Sequence, residues 1–269
     1  MRSILFIFIV AFLVGTTSCK KEEESDSTQT VPSAGTDTFS VDFEDKKEPF
    51  VGLITRYTCG ACGQYGHPNL DQLLADHENI NGAAFKYLPA DPLHTEESIA
   101  VFTTYPVQGT PTFFLGAAGY GSDINQWKSD ALSDTNTHAL VKIAITGKRA
   151  SSNLFNLEVK LLMDPSLENK SLSLSLYALE NNIISGQTDY SRNPTFVDDY
   201  VHNHVLRKAF GTSAFGDSLN YSTDTTTVEY QFEAPGEINA DYIYFTALVW
   251  ELDSNREPID MLNSQSVNN

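Results

Sequence analysis

Phe50-Val51-Gly52-Leu53-Ile54-Thr55-Arg56-Tyr57-Thr58-Cys59-Gly60-Ala61-Cys62 is the stretch from which the rest of the chain is read. Its first five residues form a short apolar run of the kind buried strands carry. Two cysteines follow with two residues between them, and Leu70, Leu73, Leu74 and His77 then recur at helical spacing. At such a strand-to-helix passage the first thiol meets a helix N-terminus, whose dipole and free N–H groups stabilise a thiolate. The second cysteine, one turn along, is placed to close a disulfide with the first.

Downstream, Gly82–Leu88 reads as a second strand and Thr95-Glu96-Glu97-Ser98 as a helix start with Thr95 at the N-cap. Thr112–Leu115 reads as a third strand, Gly116–Gly121 as a turn, and Asp123–Leu132 as a last helix carrying Ile124 and Trp127. This alternation predicts a small α/β domain over residues 45–135. From about residue 138 the period becomes two. Val141, Ile143 and Ile145 alternate with polar or small residues, and so do Phe155, Leu157, Val159 and Leu161. Leu172, Leu174 and Leu176 alternate with serines, Val228, Tyr230 and Phe232 with Glu229, Gln231 and Glu233, and Tyr242–Leu252 is a long apolar strand. The expectation for 136–269 is an antiparallel, all-β sandwich.

Gly109-Thr110-Pro111-Thr112 stands immediately before the third strand. Strand, CxxC, helix, strand, helix, Gly-Thr-Pro and strand in that order resemble a thioredoxin-like domain. The resemblance implies a cis-proline packed against the dithiol, with Thr110 and Pro111 presenting backbone to an extended substrate. It also implies Cys59 as the attacking thiol and Cys62 as the resolving one. Two features depart from that pattern: Thr58 stands where a tryptophan is usual, and Val51–Arg56 carries no buried carboxylate. Arg56 is placed to support a thiolate electrostatically or to point into solvent. A working dithiol and a structural disulfide in an oxidising envelope are both open.

The first residues set the compartment. Arg2 precedes an apolar run over 3–14, too short to cross a bilayer core of about 30 Å, and Gly15-Thr16-Thr17-Ser18 leads to Cys19. Residues 1–18 read as a signal peptide and resemble a bacterial lipobox, with Cys19 as the acylated residue and Thr16 where Leu or Val is usual. Acyl chains there would hold the protein on a membrane. Residues 19–44, opening with Lys20-Lys21-Glu22-Glu23-Glu24, read as a solvated tether. They also resemble a surface-export signal.

The whole of 45–265, with Tyr200-Val201-His202-Asn203-His204-Val205-Leu206-Arg207 and Met261-Leu262-Asn263 its most particular segments, resembles Bacteroidetes outer-membrane lipoproteins related to a twenty-eight-kilodalton outer-membrane protein. That resemblance implies an outer-membrane, surface-exposed lipoprotein in which a thioredoxin-like module joins an immunoglobulin-like sandwich. Its partners would be the membrane through Cys19, and protein thiol or disulfide clients or a surface ligand. The net charge of −18 speaks against nucleic acid, whose phosphates it would repel. His202 and His204, two apart, would face one side of a strand and serve either a metal or the sheet's own hydrogen bonds. Cys59, Cys62 and His67 offer a zinc set that the position of Pro111 disfavours. No nucleotide, hydrolase or metalloprotease motif occurs, so neither cofactor nor metal is expected.

Overall fold

The computed structural model describes residues 37–121 and 123–269. The signal peptide, Cys19 and most of the tether lie outside the described residues.

The described chain enters as β1 (Thr38–Val41) and passes to β2 (Phe50–Thr55). A wide helical turn at Cys62–Gly66 leads into α1 (His67–Asp76). β3 (Asn81–Lys86), α2 (Glu96–Thr104), β4 (Thr112–Leu115), β5 (Ala118–Gly121) and α3 (Ile124–Asp134) follow. The rest is strand: β6 (Val141–Arg149), β7 (Leu154–Met163), β8 (Leu172–Glu180), β9 (Ile183–Thr188) and β10 (Phe196–His202) come first. β11 (Val205–Phe210), β12 (Asp217–Leu219), β13 (Thr226–Glu233), β14 (Ile243–Leu252) and β15 (Pro258–Asn268) complete the fold. The protein is β-rich with few helices.

A large sheet runs in the order β15-β14-β8-β11-β3-β2-β4-β5, with β12 beside β8. Its centre is the junction of β11 and β3, which run parallel with Val205 opposite Ala84 and an Ala84 N–H to His204 C=O bond of 2.7 Å. The sequence places a domain boundary at 135–136, yet strands from both sides of it hydrogen-bond in this one sheet. A four-stranded sheet, β1-β6-β7-β13, faces the β15-β14-β8 end across a core of Val141, Phe155, Leu176, Phe232, Phe245 and Val249. On the other side α2 closes over Phe50, Phe85, Phe114 and Tyr177. α1 and α3 cover Val51, Leu53 and Phe113 on the opposite face of β2 and β4.

Coverage on both faces explains where the sequence pattern misleads. β8 alternates leucine and serine as half-buried strands do, but all nine of its residues are buried. Ser175 is tolerated there because its Oγ accepts the Trp250 Nε1–H at 2.9 Å. The expected turn over Gly116–Gly121 is instead a tight hairpin: Gly116 takes a left-handed φ of +52°, and Ala118–Gly121 returns along β4. Thr38–Val41, inside the stretch read as tether, pairs with Ile145–Lys148 and stacks Phe39 on Phe245.

Asn263 bolts these layers together. Its Oδ1 accepts the N–H groups of Glu48 (2.7 Å) and Ser264 (3.0 Å), and its Nδ2 donates to Val141 C=O at 2.7 Å. The side chain is 1% exposed, so truncation leaves buried backbone groups without partners. Asn263→Ala is expected to lower the unfolding free energy by about 2–4 kcal/mol in urea titrations. A loss below about 1 kcal/mol would show that these bonds are replaced by water.

Candidate functional site: the Cys59–Cys62 disulfide and its surroundings

β2 delivers the chain to a turn in which Cys59 and Cys62 are joined by a disulfide, with Cα atoms 5.2 Å apart. The Cys59 C=O accepts the N–H groups of Cys62 (3.1 Å) and Gly63 (3.3 Å), and the Cys62 N–H also approaches Cys59 Sγ at 3.1 Å. Of these first-turn amides, that of Cys62 is shared between the Cys59 carbonyl and the first sulfur. Cys59 is 7% exposed and Cys62 is fully buried. Cys59 Sγ also lies 3.2 Å from the Thr110 carbonyl oxygen, and the Thr110–Pro111 peptide is cis. The structure thus brings together all four residues singled out here by sequence: Cys59, Cys62, Thr110 and Pro111. Beside them runs an open groove lined by Ala61, Tyr65, Pro106, Gln108, Thr110 and Pro111.

The other flank is closed by the β9–β10 hairpin, whose place here no sequence pattern signals. Thr188 N–H donates to Tyr57 C=O at 2.7 Å, Tyr190 N–H to Gly60 C=O at 3.2 Å, and Tyr200 O–H to Gly63 C=O at 3.1 Å. The Tyr190 ring lies so close to Gly60 that a β-carbon there would sit 2.2 Å from it. Only glycine fits.

Beneath the turn lies a buried polar group. Lys86, at the end of β3 and fully buried, places Nζ 3.1 Å from Gln187 Oε1 and 3.2 Å from His67 Nε2. Gln187 in turn donates Nε2–H to Cys59 C=O at 3.0 Å. His67 begins α1 and also lies 3.4 Å from Thr55 Oγ1, while its ring sits 5.1 Å from that of His202. Neither ring nitrogen of His202 has a partner among the described residues. Lys86 is the residue that sequence reading passed over. A lysine at the end of an apolar strand was the available signal.

His202 and His204 do not share a strand face. His202 closes β10, and His204 takes a left-handed φ of +58° before β11, so the two rings part. His204 Nδ1 is 2.7 Å from Tyr244 Oη and its Nε2 is 3.9 Å from Asp71. Among the described residues no group of three or more His, Cys, Asp or Glu side chains is arranged to hold a metal. Arg56 is half-buried, with Nε unpartnered among the described residues.

Burial keeps the three histidines neutral. Loss of water lowers His67 well below the usual imidazole range, with nearby Lys86 adding to the effect, and takes His202 to about 2 and His204 to about 4. The unfolded chain binds protons at these residues near pH 6.5 and the folded chain does not, so stability falls as pH drops through that value. Glu48, Asp71 and Glu180 are raised by burial and act in the opposite sense, in a window closer to the carboxylate range. The expected result is a loss of about 1–4 kcal/mol in unfolding free energy between pH 7 and 5.5. A flat profile would contradict it.

Fold and site together define a β-rich protein with a CxxC disulfide seated between a groove and a hairpin. The family model of outer membrane protein Omp28 matches residues 99–268, and the chain belongs to that family. It is therefore an outer-membrane protein. The matched span begins after Cys62, so family membership by itself says nothing about the disulfide. Among solved structures, the chain is similar to HBP35 of Porphyromonas gingivalis, with 20% identity and a TM-score of 0.64 over 84% of this chain and 76% of that one. It is also similar to protein AGR_C_4864 from Agrobacterium tumefaciens, with 13% identity and a TM-score of 0.51 over 84% and 96%. At these identities the likeness is one of fold. A domain of the outer membrane lipoprotein Omp28 from Porphyromonas gingivalis overlaps 48% of this chain and 88% of its own, with 15% identity and a TM-score of 0.33. No curated protein matches the sequence.

Proposed function

We propose that this outer-membrane protein is lipid-anchored through Cys19 and exchanges disulfides with protein clients through Cys59 and Cys62. In this reading residues 45–135 are a thioredoxin-like module. Supporting it, the chain runs β2-α1-β3-α2-β4-β5-α3, with β2 and β3 parallel, β4 antiparallel to β2, and the dithiol between β2 and α1. The facing sheets of the second half suit an immunoglobulin-like sandwich. No helix among the described residues is long and apolar enough to cross a membrane, which suits attachment by acyl chains.

The observation that carries the reading is the position of Cys59 Sγ. It belongs to the less buried of the two cysteines and lies against the carbonyl of Thr110, which lines the groove, so an extended client pairing with Thr110 would bring its own sulfur toward Cys59. The client thiolate attacks Cys59 Sγ and releases Cys62 as the leaving thiolate. Its second thiol then displaces Cys59, leaving reduced protein and oxidised client.

Exchange kinetics of the full-length chain with glutathione, read by peptide-resolved alkylation, test this. The expected rate is at least about tenfold above that of a linear peptide containing Cys-Gly-Ala-Cys. A second reading, a surface binding lipoprotein whose dithiol is structural, draws on the 7% exposure of Cys59 and the hairpin packed over the turn. Exchange at or below the peptide's rate would favour that reading.

A further inference from the structure

β10 is hydrogen-bonded to β9 along one edge, and among the described residues no strand pairs with its other edge. Between Val197 opposite Gln187 and Tyr200 opposite Ser185, it sets two residues, Asp198 and Asp199, against Gly186 alone. This bulge decides what the strand displays, because an extra residue interrupts the in-and-out alternation of side chains. Val197 and Tyr200 are half-buried and His202 is buried, while Phe196, Asp198, Asp199 and Val201 are all exposed. The outward row therefore reads apolar, acid, acid, apolar.

Edge strands are commonly blunted by charges and bulges, and the two aspartates on their own need no other explanation. The apolar side chains do. Among the described residues eight large apolar or aromatic side chains are exposed, and four of them, Ile184, Tyr190, Phe196 and Val201, belong to this hairpin and its loop. An edge that only had to be kept unpaired would gain nothing by leaving them in water. Beside the edge an open groove of about 1080 Å³ runs between the hairpin and the residues that follow the dithiol, Gly63, Gln64 and Pro68. Arg192, the one basic residue lining it, stands 3.7 Å from Asp189, so Asp198 and Asp199 set its charge.

These features select among occupants. A second copy of this chain, laid antiparallel along the same edge about its midpoint, would set Asp199 against its own counterpart. Like charges directly opposite each other destabilise a strand pair. A strand with Lys or Arg at that level and apolar residues on either side matches the row. We propose that the free edge of β10 and the groove beside it dock an extended segment of another protein, one that alternates basic and apolar side chains and adds to the hairpin as a further strand. Backbone bonds to β10 supply the attachment, and Phe196, Asp198, Asp199 and Val201 supply the selection. Tyr190 against Gly60 and the Tyr200 O–H on Gly63 C=O tie the hairpin to the dithiol turn, so the docked segment lies alongside Cys59 and Cys62. Docking itself involves no thiol; only its use in presenting clients rests on the exchange reading above.

The probe is a fluorescein-labelled peptide of about nine residues alternating lysine and valine, without cysteine, titrated onto the full-length oxidised chain by anisotropy. The wild type is expected to bind it at least about tenfold tighter than a glutamate–valine peptide, and the double variant Asp198→Lys, Asp199→Lys to reverse that order. N-methylation of the lysine–valine backbone removes the donors that an edge needs and should weaken binding at least about tenfold. Equal binding of all three peptides, the same preference in wild type and variant, or no saturable binding below about 1 mM would overturn the proposal. Should the double variant not fold, hydrogen exchange on the wild type decides: the peptide must slow exchange across Phe196–Val201, and protection elsewhere alone would overturn it. A wild-type dimer that protects the same amides and excludes the peptide would put a second copy on the edge and overturn it equally. Because the probe carries no sulfur, slow disulfide exchange with peptide binding intact removes the exchange reading alone.

Discussion

Cys59→Ser is expected to lower disulfide exchange by the full-length chain at least about 100-fold, while Cys62→Ser leaves a protein that attacks once and stops. The asymmetry follows from burial. Cys62 is fully covered, whereas Cys59 keeps 7% of its surface exposed and its Sγ receives the Cys62 amide. A serine at 59 has an alcohol far too weakly acidic to take the thiolate's part, so no mixed disulfide forms with a client. With serine at 62, Cys59 still forms the mixed disulfide but no second thiol resolves it. The variant should therefore accumulate a covalent adduct on non-reducing gels when given a cysteine peptide as its disulfide, the Cys59 thiolate bonding to one peptide sulfur while the other peptide leaves as the thiol. Adducts on Cys62 in the Cys59→Ser chain would reverse the assignment.

The largest effect on stability is expected at Phe245. Its ring is fully buried where the two sheets face each other, 5.3 Å from Phe155, 6.1 Å from Phe232 and stacked 6.3 Å from Phe39 of β1. These neighbours come from β1, β7 and β13, all in the opposing sheet, so Phe245 is the point where the sheets hold each other. Phe245→Ala removes the transfer energy of a phenyl ring and leaves a cavity that rigid strands cannot collapse to fill, about 3–5 kcal/mol together. For a chain of this size that is roughly 10 °C in Tm. Calorimetry or urea titration measures it, and a loss below about 1 kcal/mol would mean the sheets reclose over the gap.

Local chemistry was legible in the sequence; long-range placement was not. Cys59-Gly60-Ala61-Cys62 after an apolar run, Thr95 before its helix, and the period-two runs after residue 138 each express a preference that neighbouring residues enforce. Thr95 caps α2 by accepting the Ser98 N–H at 3.1 Å. What pattern could not convey is which strand lies beside which. Nothing in Val205-Leu206-Arg207 says that it runs parallel to Gly82-Ala83-Ala84 and fuses two halves into one sheet. The hairpin over the dithiol was invisible for the same reason. Ile183–Thr188 and Phe196–His202 carry exposed apolar residues such as Ile184 and Val201, and they dock mainly through backbone bonds. The misread serines of β8 show the complement: alternation reports side-chain chemistry, and burial on both faces is set by what arrives from elsewhere. Lys86 was visible as a lysine, but its burial against Gln187, about a hundred residues away, was not.

The reduction potential of the Cys59–Cys62 pair, measured on the full-length chain against glutathione, is the most direct test. A working dithiol predicts a value between about −120 and −270 mV, the span of known oxidoreductases. A value below about −300 mV, where structural disulfides lie, would contradict the exchange function and leave the disulfide as a staple of the turn between β2 and α1.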